Sequence, residues 1–246
     1  MTKFIVLKPN HVMKPLLLLL FILISYAGLW AQDSTLVTIK AGNRVKDVLS
    51  TSEIYYYPQF TNGKVFLRDG LKAGGKMNYN RLYGQMLFIN PIGDTLALAD
   101  EKNIKLIVIE RDTFYYDEGY MRLMANNGVV KLTEKQIWVM ADIRKIGTHN
   151  RPTTTVAVTS FSSYTNGQDA AKSKDLIMNE DILLRKETQY YFGDKYNLFV
   201  PANKKGLQQL FPKEHSSIDN YLKENKVNFN KKEDVEKLYQ FLRQFH

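Results

Sequence analysis

The sequence contains no cysteine. That excludes disulfides, thiol nucleophiles and thiolate metal sites, and it removes the lipid-carrying cysteine of a bacterial lipoprotein. Histidine is scarce. His11, His149, His215 and His246 stand far apart, none at the His-x-x-x-His spacing that puts two imidazoles on one helix face, so no metal site is expected. There is no Gly-x-Ser-x-Gly elbow and no glycine-rich phosphate loop. No cofactor is expected. The longest apolar run, Leu16 to Trp30, falls short of the roughly 20 residues that a membrane helix needs.

That run has another meaning. Lys14-Pro15 precedes it, and Ala31 closes it before Gln32. A basic start, an apolar middle and a small residue at the end make a secretory leader of residues 1–31. Met13-Lys14-Pro15 forms a compact basic start by itself, so Met13 is the expected initiator. The chain of 246 residues carries a formal charge of +9. Losing the leader's Lys3, Lys8 and Lys14, with no acid among them, leaves +6. This excess is modest and well mixed with acids, too diffuse to imply nucleic acid. An exported chain without disulfides must rely on its core, which this length allows. The expected location is the periplasm or beyond the cell, with contact to the membrane only through the leader during export.

The stretch from Asn62 to Lys131 organises the rest. Short alternating apolar runs are each closed by a turn signal: Gly63–Gly70, Lys76–Asn80, Gln85–Ile89, Gly93–Leu98, Lys105–Ile109 and Asp112–Asp117. This spells an antiparallel β-meander. Asn62-Gly63 and Asp69-Gly70 read as type I′ hairpin turns, which need positive φ at both central residues, and Gly74-Gly75 reads as a turn. Leu106–Ile109 is apolar on both faces and predicts a central strand. Upstream, Leu36–Ile39 predicts an edge strand, and Val45–Leu49 a short helix turn or strand. Glu53–Tyr57 reads as a further strand stopped by Pro58.

Gln136–Ile143 predicts a longer strand. Residues 147–174 are rich in Ser, Thr, Asn and Gly and predict a long loop with one strand at Thr155–Val158. Strict alternation returns at Ile182–Phe192. Ile182, Leu184, Thr188, Tyr190 and Phe192 share one face. After Pro201 the period changes to that of helices, with Leu207, Leu210 and Phe211, then Ile218, Tyr221 and Leu222, then Val235, Leu238, Tyr239 and Leu242. Asn230 and Glu233 are spaced as a capping box. The whole predicts a mainly β fold, a roll or sandwich, over residues 32–202, with a small helical appendage at 203–246.

Carboxylates and tyrosines are the candidates for chemistry. Asp112 and Asp117 flank one strand and Asp100-Glu101 lies close by, but each is explained by a turn or a strand start. Tyr55, Tyr57, Tyr115 and Asp117 fall on the outward side of their strands if Ile54 and Phe114 point inward, and Tyr191 lies on the polar face of its own. Outward aromatics on a sheet can bind sugars, peptides or a partner. These five residues are therefore the candidate ligand-binding set, and no catalytic or metal residue is assigned.

At Tyr57–Val65, Met77–Asn80, Gln85–Ile89 and Gly93–Leu98 the chain resembles an uncharacterised family of exported proteins of the Bacteroidota type. The resemblance extends to the ending Ile218, Tyr221-Leu222, Phe229 and Leu238. It implies an envelope location and brings no catalytic residues. The expectation is a non-catalytic envelope module that binds a protein or glycan. The alternative is a hydrolase of glycan or peptide using Asp112 and Asp117.

Overall fold

A computed structural model describes residues 36–146, 152–153, 159–161 and 177–245. All of these lie within one unit, Ser34–His246. The leader, the strand expected at Thr155–Val158 and most of the Ser/Thr-rich segment lie outside the described residues.

The strands are β1 (Leu36–Ile39), β2 (Thr61–Leu67), β3 (Lys72–Asn80), β4 (Gln85–Ile89), β5 (Thr95–Ala97), β6 (Ile104–Ile109), β7 (Asp112–Tyr116), β8 (Tyr120–Asn126), β9 (Val130–Ile146), β10 (Pro152–Thr153), β11 (Thr159–Ser160), β12 (Asp181–Asp194) and β13 (Phe199–Pro201). Two short helices, α1 (Val45–Val48) and α2 (Thr51–Ile54), follow β1. Three more, α3 (Lys204–Leu210), α4 (His215–Asn225) and α5 (Lys232–Leu242), end the chain. The fold is thus mainly antiparallel β, with helices at the C-terminus, as the sequence predicts.

The sheet is open and runs β1-β12-β9-β8-β7-β6-β2-β3-β4-β5, with β1 an edge strand as expected. The meander is interrupted once. After β5 the chain returns through a 3₁₀ turn at Glu101–Asn103 and lays β6 beside β2. This places the apolar β6 centrally, where Ile107 and Ile109 are fully buried, and leaves the three-residue β5 at the edge. The sheet also curls over itself. Tyr79 of β3 meets Tyr120 of β8 with ring centroids 6.1 Å apart, although three strands separate them in the sheet. Its hydroxyl donates to the Gln136 carbonyl of β9 at 3.0 Å.

Several turn signals prove to be strand residues. Asn62-Gly63 lies inside β2 and Gly74-Gly75 inside β3, paired across the ladder. A Cβ at Gly63 would stand 3.0 Å from both Ile109 Cγ1 and Met77 Sδ, so close packing of the curled sheet requires this glycine. At Asp69-Gly70 only Gly70 takes positive φ, while the Asp69 carboxylate accepts from Leu71 N–H, an Asx turn rather than type I′.

The tyrosine run is not a strand either. Of the strand expected at Glu53–Tyr57, Glu53 and Ile54 belong to α2, where the Glu53 carboxylate accepts from the Ser50 N–H at 2.7 Å, and Tyr55 makes a single bridge to Asn80. Beyond it, Asn78 replaces a ladder, accepting from Tyr57 N–H and donating to the Tyr57 carbonyl. Pro58 has no N–H with which to continue.

The C-terminal helices bury Leu207, Ile218, Val235, Leu238 and Leu242 against Val130, Leu132, Tyr190 and Phe192 of β9 and β12. Asn203 caps α3 by accepting from Gly206 N–H at 2.8 Å. The capping box expected at Asn230 is absent: α5 begins at Lys232 and Asp234 instead accepts from Asn228 N–H.

Candidate functional site

β9 is the longest strand, and β12 accompanies it from Val130 to Arg144. On its other edge β8 pairs only as far as Glu134, and β11 begins at Val139. Between them, no strand among the described residues lies beside Lys135 to Trp138 on this edge. The β3–β4 connection stops part of this break, where Trp138 N–H donates to the Arg81 carbonyl at 3.1 Å. What is left open is a groove of about 280 Å³. Its walls include Tyr83 and Gln85 from the connection, Tyr116 and Glu118 from the β7–β8 hairpin, Lys135 and Trp138 from β9, and Glu101 from the 3₁₀ turn.

Backbone geometry aims these groups. Asp100, at φ 51, turns the chain so that Glu101 opens the 3₁₀ turn. Glu118 at φ 50 and Gly119 at φ 129 make the tight turn of the hairpin. The φ of 129 favours glycine there, and a Cβ would in addition lie 2.7 Å from Lys135 Cε and push that side chain aside. Through that space the Lys135 ammonium reaches the Glu118 carbonyl at 2.7 Å. Burial lowers the Lys135 ammonium against the raising pull of Glu118 and Asp117. Burial and then the Glu101 carboxylate push the Tyr116 phenol up to about 12. The same two influences, burial first, raise Tyr120.

Beside the groove lies a second polar cluster with a structural role. Arg122 donates through Nε and Nη2 to Glu134 Oε1 at 2.9 and 2.6 Å, and through Nη1 to Asp112 Oδ1 at 3.1 Å. Burial would lower this guanidinium, but the two carboxylates outweigh it and hold it raised. Tyr56 sits between cations, with Arg81 at 4.8 Å and Arg122 at 5.6 Å from its ring centroid.

The five expected site residues do not form one platform. Tyr57 is 8% exposed and points inward, its hydroxyl donating to Asp112. Tyr115 does lie opposite Phe114, yet is only 6% exposed because Phe199 covers it at 5.2 Å. Tyr191 packs against that same cluster, so Tyr115 and Tyr191 are brought together. Tyr55 packs on Phe60 elsewhere. Asp117 is exposed on the hairpin turn, next to Glu118 of the groove. A sheet with both faces partly covered has no free outward side for such alternation to identify.

Gln85 and Lys135 were not singled out by sequence reasoning, Glu101 was weighed among the carboxylates and set aside as a turn residue, and Tyr116 was read as pointing inward. One signal was present: Glu134-Lys135-Gln136 interrupts the apolar alternation between Leu132 and Trp138. Among the described residues no group of three His, Asp or Glu side chains converges as a metal site. Nor is any helix there long and apolar enough to cross a membrane. The fold and groove define an open antiparallel sheet with a recess where pairing along one edge of its longest strand is interrupted among the described residues. Comparison with known proteins finds no matching family model, no matching curated protein and no matching solved structure.

Proposed function

We propose that this chain is an exported, non-catalytic module of the cell envelope that binds a peptide or glycan segment in the groove beside Lys135–Trp138. The carrying observation is the groove itself. Its volume of about 280 Å³ stands at the small end of ligand sites, and polar groups converge in it among aromatic walls. Export is supported by the basic start and apolar run of residues 1–31. Fractionation of cells making the full chain tests export: retention of an uncleaved chain in the cytoplasm would refute it. Titration of the protein with solubilised envelope peptides and glycan fragments, read by Trp138 fluorescence, tests binding. A saturable change that Ile137→Trp abolishes by filling the groove supports the reading. An equal response from that variant removes the groove as the site.

A second reading, hydrolysis of glycan or peptide, is favoured by Glu101 and Glu118 sharing one recess. The pair first considered, Asp112 and Asp117, does not serve it, since Asp112 is held by Tyr57 and Arg122. Release of new reducing ends or amines that both Glu101→Gln and Glu118→Gln abolish would replace binding with catalysis.

A further inference from the structure

The groove's charges are unequally matched. Lys135 is held at the Glu118 carbonyl, with the Asp117 and Glu118 carboxylates about it. Glu101 has no such partner: among the described residues no Lys, Arg or His pairs with it, and its carboxylate faces the neutral phenols of Tyr116 and Tyr120. A half-buried carboxylate contacted only by neutral groups is free to take a cation as its partner.

One further acceptor points the same way. The Gln85 side-chain oxygen, on the groove wall, has no hydrogen-bond partner. The Tyr120 hydroxyl, in a side chain only 1% exposed, faces Glu101 as a neutral donor. Around them stand aromatic surfaces. Tyr116 meets Tyr120 edge to face at 5.0 Å, and Tyr83 and Trp138 complete the lining. An anion among aromatic rings, contacted by neutral phenols and not by a cation, with a spare amide oxygen on the same groove wall, is the complement of a cation that carries N–H groups.

We propose that the groove recognises a primary ammonium group, with Glu101 as its counter-ion, the Gln85 oxygen as a second acceptor and Tyr116 as an aromatic wall. This rests on the groove being the binding site and specifies what it takes. Such an ammonium is carried by a lysine-type side chain or by an unacetylated amino sugar. Both present the same charge and the same N–H donors.

The test uses the full chain labelled with ¹⁵N, reading the Trp138 indole N–H signal, which Trp30→Phe assigns. The lysine-type probe is 1,5-diaminopentane, with 1,5-pentanediol as its neutral counterpart. The amino-sugar probe is glucosamine, with N-acetylglucosamine as its counterpart. The expected result is a saturable shift with at least one amine, absent with its neutral counterpart, and affinity at least tenfold weaker in Glu101→Gln. Which amine binds distinguishes the two sources. Unchanged thermal unfolding of Glu101→Gln establishes that the variant is folded. Equal shifts from an amine and its neutral counterpart, or unchanged affinity in Glu101→Gln, overturn ammonium recognition while leaving the groove a binding site. No shift with any probe also overturns it, and the groove reading itself fails only if envelope fragments are silent as well.

Discussion

The Tyr57 hydroxyl donates to Asp112 Oδ2 at 2.8 Å. A residue expected to face a ligand and a residue expected to act as an acid thus satisfy one another inside the sheet. Arg122 holds the other carboxylate oxygen. This pairing positions the tyrosine run over the inner face and fixes Arg122 next to Glu134.

Tyr57→Phe is expected to cost about 1.5–3 kcal/mol, the range for a hydrogen bond to a charged group. Denaturant unfolding checks this. Ligand response in the groove should not change, because Tyr57 is not among the groove's lining residues.

Arg122→Met should be more damaging. The Glu134 side chain, 6% exposed, would be left as a buried charge, a situation that typically costs about 3–5 kcal/mol. Adding Glu134→Leu should recover a large part of that loss, since it removes the orphaned charge. A double variant no more stable than Arg122→Met alone would show that the ion pair itself, not the unpaired acid, sets the cost.

Gly119→Ala places a methyl 2.7 Å from Lys135 Cε at φ 129. The expected loss is about 1–3 kcal/mol, from backbone strain plus overpacking. In a Lys135→Ala background only the backbone part should remain. Thermal unfolding of the four proteins in this cycle measures both parts.

Leu238→Asp puts a carboxylate into the fully buried seam between α5 and the sheet. It should release the C-terminal helices, seen as rapid protease cleavage beyond Pro201. Unchanged protease resistance would show that the helices do not depend on this seam.

Alkaline pH should destabilise the fold. Tyr116 and Tyr190 are each pushed up to about 12 from an ordinary 10, by burial first and then by nearby carboxylates. A phenol with a raised folded pKa contributes stability that is whole below pH about 10 and is lost as the pH climbs to about 12. Unfolding monitored by phenolate absorbance should therefore steepen across that window. Tyr116→Phe and Tyr190→Phe should each flatten it.

Much of the fold was legible locally. The alternation of Ile182, Leu184, Thr188, Tyr190 and Phe192 predicted one buried face; all but Thr188 are buried, and Thr188 is half-buried. The helical spacing of Val235, Leu238, Tyr239 and Leu242 predicted α5, and all four lie in its core. The groove was not legible in this way. Glu101, Tyr116 and Lys135 are separated along the chain, and each has an ordinary local explanation as turn or strand.

What the sequence determined by itself was therefore strand, turn and helix, because periodicity and turn chemistry act over a few residues. It also determined the absence of thiol chemistry. Tertiary structure alone decided that β6 lies beside β2, that Asn62-Gly63 is strand rather than turn, and that Tyr57 turns inward to Asp112. It alone leaves Lys135–Trp138, among the described residues, paired by β12 on one edge and by no strand on the other. Each of these depends on which distant surfaces bury one another when the sheet curls, and pairing across such separations leaves no mark in local spacing.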